Sequence, residues 1–109
     1  AAGRPEVVGP DRTLSAGVVA SYIHTTHQVG AMLVLSCETD FVSKNEEFVV
    51  LARDLAMHAA AMRPGEVSEL LTQSFIKDEQ KTIGQMVADA TQKFGERIEI
   101  STLAVFSVA

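Results

Sequence analysis

His24 and His27 stand three residues apart, and Cys37, Glu38 and Asp40 follow a short way along the chain. Zinc accepts imidazole, thiolate and carboxylate ligands. The spacing argues against it. Residues three apart share a face only on a helix, and the Val, Ile and Tyr content here reads as strand and turn. A structural zinc site draws on paired cysteines, and the chain has one. Two solvent-facing turn histidines are the simpler reading, and no metal is expected. Cys37 with a histidine could form a nucleophile and base. But Cys37 closes an apolar run, where a free cysteine is commonly a small buried hydrophobe. No Gly-rich phosphate loop, no G-x-S-x-G turn and no paired carboxylates are present. The residues point away from an enzyme, and no cofactor is expected.

The remaining candidate is Cys37 to Phe48, CETDFVSKNEEF, which sets acids beside a large aromatic between a strand and a helix. Phe41 there could staple the helix entry to the core or stand out as a contact. The staple is the simpler reading of the residues alone, which leave the choice open.

With 109 residues, one domain is the default. Apolar content of 47% argues against disorder for most of the chain. The net charge is −5 and no basic run occurs, so direct nucleic-acid binding is not expected, since phosphate contact needs clustered Lys and Arg. An acidic surface suits a protein partner. A single cysteine allows no internal disulfide and suits a reducing compartment. No apolar run approaches the ~20 residues of a membrane helix, and no signal-peptide pattern opens the chain.

The elements that must position these residues follow from pattern. Residues 1–16, with Gly3, Pro5, Gly9 and Pro10, read as a flexible lead-in, and residues 17–109 as the domain. Gly17 to His24 reads as a strand and Val29 to Cys37, nearly all apolar, as a buried central strand, the two forming a hairpin with a four- or five-residue loop. Ser43 and Glu46 have capping-box spacing. Phe48, Leu51, Leu55, Ala59 and Met62 make one helical stripe, which Pro64-Gly65 stops. Residues 66–81 read as a short helical or extended stretch around Val67 to Leu71, then a loop. Thr82 and Gln85 repeat the capping-box spacing before a helix with Ile83, Met86, Val87, Ala90 and Phe94, and Gly95 suits its end. Arg97 to Val108 reads as a last strand with Ile98, Ile100 and Thr102 on one face. The expected fold is α+β: a three-stranded antiparallel sheet in the order β-β-α-α-β, with helices on one face.

Several blocks, in order, resemble one family. Cys37-Glu38-Thr39-Asp40-Phe41-Val42, with Asn45 and Phe48, is similar to the signature of translation elongation factor Ts. So are Ser21-Tyr22-Ile23-His24 and Val29-Gly30 before it. Asp54 to Ala60 (DLAMHAA), Gln73 to Asp78 (QSFIKD) and Lys93 to Ile98 (KFGERI) follow in the family's order. The resemblance covers roughly Gly17 to Phe106. These residues hold no counterpart of the family's N-terminal helical docking domain, nor of its helical insertion between the positions matching Pro64 and Val67.

The resemblance implies guanine-nucleotide exchange on elongation factor Tu, without covalent chemistry. Thr39, Asp40, Phe41 and Val42 would be the intruding element: Phe41 the wedge beside the partner's Mg²⁺ site, Asp40 the residue that holds it and opposes the ion electrostatically. Met57 and His58, on the following helix, would add partner contacts; for His58 a half-buried ring satisfied by a backbone carbonyl is the alternative. Family members pair, and the central strand is apolar on both faces, so a homodimer without a disulfide is expected. In some short members a cysteine links the subunits, and Ala104 stands about where it would be. A dimerisation or interaction module without exchange activity is the alternative. The resemblance implies a cytoplasmic, bacterial-type protein, with mitochondrion and plastid also compatible.

Overall fold

A computed structural model describes residues 13–109. The lead-in expected over residues 1–16 lies outside the described residues as far as residue 12. A run rich in Val, Tyr and Ile forms β1 (Ala16–Ile23), and the apolar run forms β2 (Val29–Cys37). The two pair antiparallel from Ala16↔Cys37 to Ile23↔Gly30. Their five-residue loop is closed by the His27 N–H donating to the His24 carbonyl at 2.8 Å. His27 takes a positive φ of 60° there, a region where His is enriched among non-glycine residues.

A single-turn helix α1 (Asp40–Ser43) follows, then α2 (Glu46–Met62), α3 (Val67–Thr72), a two-stranded hairpin of β3 (Ser74–Phe75) and β4 (Asp78–Thr82), α4 (Ile83–Phe94) and β5 (Glu99–Ser107). β5 returns to pair antiparallel with β2, giving a three-stranded sheet in the order β1-β2-β5. The expected α+β plan of an antiparallel sheet with helices on one face is therefore present, with additions.

The additions correct the reading of the connections. Ser43 does not cap the long helix. It closes α1, its hydroxyl donating to the Asp40 carbonyl at 3.2 Å. The cap of α2 is Asn45, whose side chain accepts from the Glu47 N–H at 2.8 Å. One turn is too short to show a period, so α1 left no pattern. Residues after α3, expected as loop, hold the β3–β4 hairpin, whose strand Asp78–Thr82 is polar throughout and carries no alternation. Thr82 does cap α4, accepting from the Gln85 N–H at 3.1 Å. Gly95 ends it at φ 69°, where a glycine avoids the Cβ strain of the left-handed region.

β5 also departs from simple alternation. Leu35 pairs with Ile100 but Val34 with Thr102, so Ser101 is an extra residue in a bulge. A bulge reverses which residues face inward. Ile98 and Ile100 are buried, Thr102 is exposed, and Leu103 and Val105 take over the inner face.

The inner faces meet the helices in one core. Leu33, Leu35, Phe48, Leu55, Leu70 and Ile83 are all but inaccessible. The Phe48 and Phe94 rings meet edge to face with centroids 6.0 Å apart, an arrangement worth ~0.5–1.5 kcal/mol beyond its buried area. Of the α2 stripe, Phe48, Leu55 and Ala59 are buried, Leu51 packs at the core's edge, and Met62 is exposed at the helix end. Ala52, Ala56 and Ala60 form a second buried row, small enough to seat the helix closely. Leu55→Ala should therefore lower unfolding free energy by about 2–5 kcal/mol. An unchanged chemical-denaturation midpoint would show that α2 is not seated on this core.

Candidate functional site

Past Cys37 the β1–β2 ladder ends, and the backbone must find new partners before α1 begins. Thr39, with φ −132°, is the extended N-cap of α1. Its Oγ1 accepts from the Val42 N–H at 3.4 Å and donates to Glu96 Oε2 at 2.7 Å. Glu96 Oε1 accepts from the Glu38 and Thr39 N–H groups at 3.0 and 3.1 Å. In return, Glu38 Oε2 accepts from the Arg97 N–H. Ser15 Oγ donates to the Glu38 carbonyl at 3.1 Å. The loop is thus held from the chain's opposite half.

Successive helix residues point about 100° apart. Val42, 4% exposed, enters the core, and Phe41 beside it stands 86% exposed. The staple reading of Phe41 is thereby replaced: Val42 anchors the turn. Burying a Phe is worth ~1.5–3 kcal/mol, so the fold leaves an apolar ring in water on a loop that is otherwise tied down. Asp40 is exposed next to it.

Cys37 is free and buried, its thiol donating to the Thr39 carbonyl at 3.3 Å. Burial, then the nearby Glu96 charge, pushes its pKa up, which keeps it protonated and unsuited to nucleophilic work. His24 and His27 sit at the hairpin loop, with His24 Nδ1 engaged by Thr26 Oγ1 at 3.0 Å. Cys37 lies at the far end of β2, roughly 25 Å along at ~3.3 Å per residue. Among the described residues, no group of three or more His, Cys, Asp or Glu is placed to hold a metal.

His58 is fully buried on α2, its ring 6.0 Å from that of Phe75. The Ile76 N–H donates to Nδ1 at 3.2 Å, and Nε2 lies 2.9 Å from Gln73 Oε1. An acceptor at Nδ1 puts the proton on Nε2, so one neutral tautomer satisfies both bonds. The ring, for which contact with a partner was expected, has no exposed surface in the chain alone and ties α2 to the β3 end of the small hairpin. Met57 beside it is half-buried.

The clamp residues Glu96 and Arg97 were not singled out as functional by the sequence. Glu96 lies 57 and 58 positions from its partners, so no local spacing could show the contact. Its place in the KFGERI block was the available signal.

Residues 10–69 and 38–109 match the family model described as Elongation factor TS. A protein named Elongation factor Ts from Oleidesulfovibrio alaskensis is 30% identical over 143 residues, covering 90% of this chain and 72% of that protein. One of the same name from Thermosipho melanesiensis is 29% identical, covering 89% and 72%. One from Clostridium botulinum is 36% identical over 97 residues, covering 89% of this chain but 32% of its own length.

The buried imidazole makes stability depend on pH. Burial holds the pKa of His58 below 6.5, outweighing the bond to Gln73. Above that value both folded and unfolded chains carry it neutral. As pH falls through about 6.5 the unfolded chain takes up a proton that the folded one resists, so stability falls toward acid. The unfolding midpoint should drop between about pH 7.5 and 5.5, and His58→Gln should flatten that drop. Equal slopes for the two proteins would remove His58 as its source.

Proposed function

This chain belongs to the elongation factor Ts family, and on that premise we propose that it is a guanine-nucleotide exchange factor for elongation factor Tu. The observation that carries the reading is Phe41, 86% exposed on a turn whose neighbours are anchored. A rigidly presented apolar ring can enter a partner at little ordering cost. Thr39 and Val42 fix the turn, Phe41 is the wedge, and Asp40 brings a negative charge toward the partner's Mg²⁺ and phosphate site. Phe41 binding favours the partner conformation that holds nucleotide poorly, and by reciprocity nucleotide binding weakens. No bond is made or broken, so the chain needs no catalytic group or cofactor of its own. Met57 adds partner contact from α2, with His58 supporting it from inside. The reading places its work wherever translation elongation runs, in a bacterial-type cytoplasm.

We further propose a symmetric homodimer through the outer sheet face. Side chains alternate across β2, so Leu33 and Leu35 face the helices while Met32 and Val34 face out. Around them, Val19, Ile23 and Phe106 are 65%, 59% and 65% exposed, and Ser21, Thr102 and Ala104 continue the uncharged centre of the face, with Glu99 opposite Ser36 at its end. A contiguous apolar patch of this kind marks an interface. An uncharged centre does not repel its own copy, and two such sheets stack at about 10 Å. Cys37 points inward, so apolar contact alone would hold the pair.

Two outcomes check these readings. Phe41→Ala should change stability by no more than about 0.5 kcal/mol while abolishing most stimulated GDP release from elongation factor Tu. A Phe41→Ala chain as active as the parent would overturn the wedge, and a parent chain that dimerises without stimulating release would favour the interaction-module alternative. Sedimentation equilibrium at micromolar concentration should give a dimer mass for the parent and a monomer mass for Met32→Glu. A monomeric parent would overturn the sheet-to-sheet interface.

A further inference from the structure

We propose that Glu96 is a positioning residue: its carboxylate, acting as a geometric acceptor and not as a charge, holds the loop in the conformation that presents Phe41. The use made of Phe41 rests on the exchange reading above; the clamp itself does not. The Glu38 and Thr39 N–H groups lie just beyond the last β1–β2 pair, Ala16↔Cys37. Backbone donors left unpaired at a strand end and a helix start need other acceptors. One carboxylate oxygen of Glu96 takes both, at 3.0 and 3.1 Å.

The second oxygen sets the direction of the Thr39 hydroxyl. An ionised carboxylate can only accept, so the Thr39 O–H must donate to Glu96 Oε2, 2.7 Å away. The Thr39 oxygen is then left to accept from the Val42 N–H and cap α1. Loss of Glu96 would free the two amides and the cap together. The clamp is itself anchored. Gly95, at φ 69°, turns the chain back at the end of α4, and the Arg97 N–H donates to the Glu38 carboxylate across the same junction. Arg97 Nε is held in turn by Glu99 at 2.9 Å. α4 is fixed by buried Ile83 and by the Phe94 ring against Phe48. A path of packed and hydrogen-bonded groups therefore runs from the core through α4 to the turn that carries Phe41.

Geometry and charge can be separated by two mild substitutions. Gln keeps the oxygen that accepts both N–H groups, lacks the charge, and turns its NH2 toward Thr39, whose oxygen has two lone pairs and can accept from it as well as from the Val42 N–H. Asp keeps the charge and is one methylene too short to reach. The test measures amide hydrogen exchange at Glu38 and Thr39 by NMR, and stimulated GDP release from elongation factor Tu, on the full chain carrying Glu96→Gln, Glu96→Asp or Glu96→Ala. In the Asp and Ala variants both amides should exchange at least about tenfold faster, with Leu33 and Leu35 amides unchanged, and GDP release should fall about tenfold or more. The Gln variant should stay near the parent in both. Phe41→Ala should keep both amides protected yet lose release. Amides protected as in the parent in the Asp variant would overturn the clamp. So would release retained by Asp and lost by Gln, since charge alone would then matter. Should the Ala variant fail to fold, the Gln and Asp pair decides. A parent chain inert toward GDP release would sink the exchange reading, and the amide ranking would still decide the clamp.

Discussion

Everything else in the domain is arranged around the inner face of β2. Leu33, Leu35 and Cys37 are sealed against α2 and its neighbours, and β2 is bonded on both edges, to β1 and to β5. A central strand buried in this way has its register fixed, because a one-residue slip would send its whole apolar set to the other face. That fixed register also fixes where β2 ends. The turn after Cys37 therefore starts from a rigid point.

The same strand creates the opposite problem on its outer face. Period-two alternation makes an apolar run apolar on both sides, and the helices cover one. Met32, with Val19 and Phe106 on the flanking strands, remains in water. The bulge at Ser101 adds to this. By reversing the alternation of β5, it turns Leu103 and Val105 inward over the alanines of α2 and sends Phe106 out. One extra residue thus shapes both the core and the exposed sheet.

The loop carrying Phe41 is short of local means to hold itself. α1 has a single turn, and isolated turns are unstable because nucleation fixes several residues for one bond. Order comes from its two ends. Val42 is buried beneath it, and Glu96 satisfies the backbone donors on its approach. This division explains how one exposed aromatic can be held out on a single turn. His58 plays a comparable part elsewhere, joining α2 to Gln73 and Ile76 through both ring nitrogens.

Elements with local signals are legible in the residues alone: the hairpin, the α2 stripe, the Thr82 cap and the Gly95 stop, each set by periodicity or by a single residue's conformational preference. The sequence also identified the family, through blocks whose order needs no structure to read. It did not determine that Asn45 and not Ser43 caps α2, because both have capping side chains and only the closure of α1 separates them. Nor could it show the β3–β4 hairpin, whose polar residues carry no alternation, or the bulge at Ser101. Whether Phe41 stapled the core or faced solvent was undecided in the residues, since Phe41 and Val42 are neighbours and both apolar. Tertiary structure made that choice, because only one of two adjacent helical positions can point at the core. The bond from Glu96 to Glu38 and Thr39 was likewise its decision, since it joins groups that lie 58 and 57 positions apart and meet only when β5 has returned to β2.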